Sequence, residues 1–209
     1  DQFEPGSAQY NIPTAVRLTG QLDQAALARA LAEVTRRHEV LRTSFGRVGG
    51  QPAQLIAPAD APGAAPPLPL VDLSGLPAAE RDAEARRLAH QEATRPFDLS
   101  TGPLLRATLL RLAAQEHLVL LTLHHIVADG WSVGVLIREV GLLYSAFAAG
   151  RPAPLPDLTL QYADFAVWQR DWLQGEALQA QLAYWRERLT PLPPVLELPT
   201  DRPRPAVQT

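Results

Sequence analysis

The 209-residue chain is 46% hydrophobic and 20% charged with a net charge of −3, enough polypeptide for one to two domains with a real core. The mildly acidic balance, with no basic tract, argues against a nucleic-acid partner, and no apolar run reaches the roughly 18 residues that would span a membrane. The absence of Cys excludes thiol catalysis, iron–sulfur clusters and Cys-ligated zinc. Residues 14–19 alternate loosely and stop at Gly20, a strand and turn. Asp23 can cap a helix in which Leu27, Leu31 and Val34 recur at helical spacing, running to about His38. Residues 42–48 and 53–56 flank Gly49-Gly50 and read as a hairpin.

Residues 58–69 are an Ala/Pro-rich loop, and 77–94 a charged, Ala-rich helix with Pro77 in its first turn. The two best strands, 104–112 and 117–125, follow. The second is apolar on both faces, as in an interior strand of a covered sheet. An amphipathic helix over 131–148 stops at Gly150, and a Pro-rich connector fills 151–158. Two helices, 162–173 and 176–189, are parted by Gly175. Trp168, Trp172 and Trp185 on them are expected to serve core or interdomain packing. The Pro-dense stretch 191–205 is expected to be extended and exposed. All 19 basic residues are Arg, which points to a high-GC genome, and the lack of Met predicts a piece of a larger polypeptide.

Residues 124–130 read His-His-Ile-Val-Ala-Asp-Gly, at the junction of the best strand and a long helix. Such crossovers commonly display reactive groups. Neighbouring strand side chains point to opposite faces, so one of His124 and His125 is structural and the other available. Asp129 can hold an imidazole, cap the helix, or pair with an Arg and brace the loop. Gly130 permits a left-handed or tight turn. Two satisfied histidines plus a helix cap would account for the segment without any chemistry. A metal site is disfavoured, because adjacent strand histidines diverge and His38, His90 and His117 lack ligand spacing. His38, at a helix end, is expected to be solvated or to compensate the helix dipole, and His90 to lie on a helix surface. Residues 130–134 also match the G-x-S-x-G of serine hydrolases. That fold orders its triad Ser, acid, His, and no His follows His125. Ser132 is therefore a first-turn helix residue.

His124 to Gly130 resembles the HHxxxDG motif of the condensation domains of nonribosomal peptide synthetases. Five further segments resemble the family's motifs in order. They are Glu4-Pro5-Gly6-Ser7 through Tyr10-Asn11-Ile12-Pro13, Arg37-His38-Glu39-Val40-Leu41-Arg42-Thr43-Ser44-Phe45, Arg95-Pro96-Phe97-Asp98-Leu99, Tyr162-Ala163-Asp164-Phe165-Ala166, and Leu198-Pro199-Thr200-Asp201-Arg202-Pro203. The resemblance covers essentially the whole chain. The segment rich in Ser, Gln and Trp that opens the family's domains is absent.

The resemblance implies an α/β fold, a chloramphenicol-acetyltransferase-like two-layer sandwich whose mixed sheet is covered by helices. It implies that residues 1–190 are the N-terminal subdomain, the N-terminal half of a V-shaped pseudo-dimeric domain. Residues 191–209 would be a Pro-rich extended segment leading to a C-terminal subdomain that this chain lacks. The implied reaction joins a donor acyl or peptidyl thioester to the amine of an acceptor aminoacyl thioester. No cofactor is bound directly, because both substrates ride on phosphopantetheine arms. The implied partners are donor and acceptor peptidyl carrier proteins, the C-terminal subdomain and an adjacent adenylation domain, in the cytoplasm. By the motif, His125 faces the tunnel, His124 turns into the fold, and Asp129 braces the loop by an ion pair to Arg42, with Arg37 as the alternative. The Gly130 amide is a candidate oxyanion donor at the start of the helix, and Trp131 and Ser132 are candidates to line the substrate channel. The 95–99 segment and the N-terminal segment favour the subtype that accepts L-configured donors. Alternatives are a coenzyme A- or carrier-dependent acyltransferase, an epimerization domain, and a non-catalytic scaffold that binds carriers. Without the second half, the chain by itself is expected to be inactive.

Overall fold

The computed structural model describes residues 6–190, 192, 193, 199, 201 and 202. The chain forms two compact units, residues 1–164 and 165–209. Most of the expected extended segment 191–205, half of the 198–203 motif (Leu198, Thr200 and Pro203) and Glu4-Pro5 of the N-terminal motif lie outside the described residues.

Unit 1 is built on a four-stranded mixed sheet of order β1-β6-β5-β4. Its strands are β1 (Asn11–Thr19), β4 (Leu70–Asp72), β5 (Leu105–Ala113) and β6 (Glu116–His124). β6 lies between β1 and β5 and runs antiparallel to both, while β4 pairs parallel to β5. The doubly apolar pattern of β6 is thus explained, since it is flanked in the sheet and packed on both faces. Val119, Leu121 and Leu123 join Leu105, Ala107 and Leu109 of β5 in the main core. Leu110, Leu112 and Leu120, of opposite parity, form a second cluster with Leu73 and with Ala85 of α2 (Ala78–Thr94). Helices therefore cover both faces. Only Ala85 of α2 is buried, and His90 is exposed.

On the main-core face lie α1 (Gln24–Arg37) and α3 (Gly130–Ala148). Asp23 caps α1 by accepting the Ala26 N–H at 2.9 Å. Leu27, Ala30, Leu31 and Val34 form its buried stripe, and Leu136, Leu143 and Ala146 form that of α3. Leu31 is 1% exposed. Leu31→Ala is expected to lower unfolding free energy by about 2–5 kcal/mol, read from the urea midpoint; a shift below about 1 kcal/mol would mean that the stripe repacks. By length and composition α3 could cross a membrane, although it contains no uninterrupted apolar run of that length. Its stripe packs instead on α1 and the sheet.

The expected hairpin is β2 (Thr43–Val48) and β3 (Gln51–Ile56), turned by Gly49 and Gly50 at φ +58° and +81°. A single 3₁₀ turn, Glu39–Arg42, joins α1 to β2. The division between the units falls within α4 (Tyr162–Trp172); α5 (Gly175–Leu189) lies wholly in unit 2. α4 and α5 bury no residue. Trp168 and Trp172 stack at 5.8 Å yet remain 55% and 52% exposed, and Trp185 is 55% exposed. The tryptophans are therefore half-exposed and do not form a core.

Candidate active site

The end of β6 is held from both sides. His124 N–H donates to the Leu104 carbonyl at 3.1 Å, and His125 N–H to the Tyr10 carbonyl at 2.8 Å. β6 stops at His124, one residue short of the expected end, and His125 opens the turn that follows, so the first ring is buried and the second exposed. His124 is 8% exposed, and its Nδ1 accepts the Ile126 N–H at 3.0 Å. Its ring meets Phe97 edge-on at 6.0 Å and lies 6.1 Å from Tyr10. Burial holds its pKa below the ordinary imidazole value. It is a neutral ring fixed in the wall, away from the pocket that His125 enters.

His125 is exposed and lines a pocket of about 450 Å³ at the N-terminus of α3. The pocket walls are largely aliphatic, from Val34, Leu41, Val127, Val135 and Leu136. Polar groups enter from His38, Asp129, Ser132 and Tyr162. Trp131 also lines it and is 84% exposed. Both channel candidates, Trp131 and Ser132, therefore border the pocket.

Asp129 caps α3. Its Oδ1 accepts Ser132 N–H at 2.8 Å and Ser132 Oγ–H at 2.6 Å. These bonds hold its carboxyl below the usual carboxylate range. The expected ion pair from Asp129 to Arg42, or to Arg37, is not formed. Arg42 donates to the Ala57 carbonyl and, at 3.4 Å, to Glu39. Arg37 donates to Glu139 at 3.3 Å and to the Pro156 carbonyl at 2.5 Å. A helix N-terminus three residues away supplies donors to Asp129 without any long arm. Asp129→Ala is accordingly expected to lower the melting temperature by only about 2–4 °C. Because the folded pKa is depressed, the cap's contribution is present above the unfolded carboxylate pKa and is lost as pH falls through the folded one. Global unfolding of the variant would instead restore the brace.

Gly130 is the first residue of α3 and is not in a left-handed turn. A Cβ there would meet nothing within 4 Å, so the fold does not require glycine at this position. Among the described residues no hydrogen bond is made by the N–H groups of Gly130 and Trp131, the positive end of α3; Trp131 lines the pocket with His125, whereas Gly130 is not among its lining residues.

Two residues of the pocket region are not apparent from the sequence. His38 is not simply solvated: its side chain is 24% exposed and its Nε2 lies 2.8 Å from Oε2 of Glu139. Glu139 sits among Leu136, Leu143 and Ala146 on the buried stripe of α3. A lone carboxylate at core spacing in an aliphatic helix face is the signal that could find it.

Comparison with known proteins then settles the family. A family model described as "Condensation domain" matches residues 1–209. The chain belongs to the condensation-domain family. It is 54% identical over 210 residues to a linear gramicidin synthase of Brevibacillus parabrevis, covering 100% of this chain and 4% of that protein. It is 50% identical to phosphinothricin tripeptide synthetase PhsC of Streptomyces viridochromogenes, covering 100% and 19%. Among solved structures, the first condensation domain of the calcium-dependent antibiotic synthetase, in complex with a substrate analogue, superposes with a TM-score of 0.80 at 28% identity. That match covers 92% of this chain and 44% of that one. The X-domain from teicoplanin biosynthesis gives 0.79 at 34%, covering 95% and 42%. The chain thus spans a small part of these curated relatives and under half of these solved domains. The mixed sheet with covering helices agrees with the expected α/β fold of a condensation domain.

Proposed function

We propose that this condensation-domain chain carries part of the active site for peptide-bond formation in nonribosomal peptide synthesis. The observation that carries the proposal is His125, exposed at a pocket that Asp129, Trp131 and Ser132 at the start of α3 also line. The acceptor's amine nitrogen attacks the donor thioester carbonyl. An N–C bond forms, the C–S bond breaks, the amine gives up a proton, and the leaving thiolate takes one. The intermediate oxyanion is stabilised at the positive end of α3 by the amides of Gly130 and Trp131. His125 orients the amine by a hydrogen bond. An α-amino group has a pKa of about 7.7–8.0, so an appreciable fraction is already neutral near pH 7.

The substrates are read as thioesters on the phosphopantetheine arms of donor and acceptor carrier proteins, with no cofactor held by this chain. An adjacent adenylation domain and a C-terminal subdomain complete the partners, in the cytoplasm. The 95–99 and N-terminal segments support the L-donor subtype, within a chloramphenicol-acetyltransferase-like superfamily. The share of solved condensation domains that the chain covers, 44% in one of them, supports the need for a second half. A scaffold role is the second reading, favoured by the likeness to an X-domain whose complex with OxyB has been solved.

Dipeptide formation by mass spectrometry, with loaded carriers, tests the first reading. Product is expected when the rest of the domain is added and not with this chain alone. Turnover by the chain alone would make it a small acyltransferase. No product from the joined halves, where a relative's whole domain turns over the same carriers, would favour the scaffold.

A further inference from the structure

A cluster of titratable groups that borders the pocket lies outside the 124–130 segment, at the end of α1. Glu139 receives Nε2 of His38 at 2.8 Å and Nε of Arg37 at 3.3 Å. The loop before α4 closes over the same point. Arg37 Nη1 donates to the Pro156 carbonyl at 2.5 Å, Gln161 Nε2 donates to the Arg37 carbonyl at 2.8 Å, and Glu39 N–H donates to Gln161 at 3.1 Å. His38 is thereby fixed between the end of α1, α3 and this loop.

Burial pushes the Glu139 pKa up, but the bonds from His38 and Arg37 outweigh it and leave the carboxyl below its ordinary value. An ionised carboxylate only accepts, so His38 presents its Nε2–H to Glu139, which leaves Nδ1 as the ring's other hydrogen-bonding atom. Nδ1 has no hydrogen-bond partner among the described residues and is not one of the buried unpaired atoms, so it opens to the surface. His38 also lines the pocket that His125 enters. A purely structural tie would need Nε2 alone.

We propose that His38 contacts substrate, its Nδ1 accepting a hydrogen bond from an N–H of the aminoacyl group held in this pocket. The nature of that group rests on the condensation reading. Two imidazoles then serve one pocket. His125 meets it from the strand end, and His38 meets it from the end of α1, held by Glu139.

The test uses this 209-residue chain labelled with ¹⁵N-histidine. The probe is the amide analogue of leucyl-pantetheine, with nitrogen in place of the thioester sulfur. The His38 Nδ1 resonance, assigned by its loss in His38→Gln, is expected to shift on titration. His38→Gln keeps an amide N–H toward Glu139 but removes the Nδ1 acceptor. It is expected to weaken probe binding about 5- to 10-fold, the worth of one neutral hydrogen bond, at an unchanged melting temperature. A shift at His125 with none at His38, or no shift at either at millimolar probe, overturns the assignment. If His38→Gln unfolds, the resonance is assigned in the wild type by correlating ring and backbone nuclei, and the wild-type shift then decides. A His38 shift in a chain whose completed domain makes no peptide bond upholds the contact and removes the condensation reading.

Discussion

His125→Ala, placed in a complete condensation domain containing this chain, is expected to slow condensation by less than about 10²-fold, with no change in melting temperature. The loss of a general base typically costs about 10²–10⁴-fold. The smaller figure follows from the chemistry of the nucleophile, which is already partly neutral near pH 7, so holding it in line contributes more than removing its proton. The unchanged stability follows from the structure. The imidazole is exposed and makes no hydrogen bond among the described residues, and the anchoring bond to Tyr10 belongs to the backbone. Steady-state rates over a pH series check both parts. A loss above about 10³-fold, with a wild-type pH–rate limb in the imidazole range that the variant lacks, would make His125 the base.

Glu139→Ala is expected to cost about 3–5 kcal/mol of unfolding free energy at pH 7, measured by urea denaturation. The Arg37 side chain is 3% exposed, and removing its carboxylate strands a buried cation. The pH dependence has a definite sign. The folded Glu139 pKa lies below the unfolded value, so its contribution is full above the unfolded pKa of about 4.3 and is lost as pH falls through the folded value. The gap between wild type and variant should stay constant from neutrality to about pH 5 and close below that. A variant as stable as wild type at pH 7 would show that Arg37 finds water instead.

Most of the frame was legible because its signals are local. Leu27, Leu31 and Val34 declare a helix by spacing, Gly49-Gly50 declares a turn, and the doubly apolar run of β6 declares an interior strand. β4 was missed because Leu70–Asp72 offers only three residues, supported by pairing with β5 rather than by any pattern of its own. The separation of His124 from His125 was expected from strand alternation and is observed, but at the boundary where β6 ends and a turn begins. The partner of Asp129 did not, since a sequence ranks an Arg and a nearby backbone N–H by charge, whereas the folded helix end ranks them by distance. His38 and Glu139 were illegible for a related reason. They lie 101 residues apart, and only the packing of α1 on α3 brings them together.

The anchoring of the two histidine amides at the end of β6, from both flanks, has a consequence for how variants will fail. The amides of His124 and His125 bond across to the carbonyls of Leu104 and Tyr10, the residues that immediately precede β5 and β1, so the sheet's end is tied down on both sides. Their hydrogen exchange should therefore require global opening of unit 1, whereas the turn that follows can open locally. A destabilising substitution far from the pocket then reduces the number of competent molecules while each folded one keeps its full specific rate. Loss of output in such variants is a matter of abundance, and it should be recovered by cooling or by a ligand that binds only the folded form.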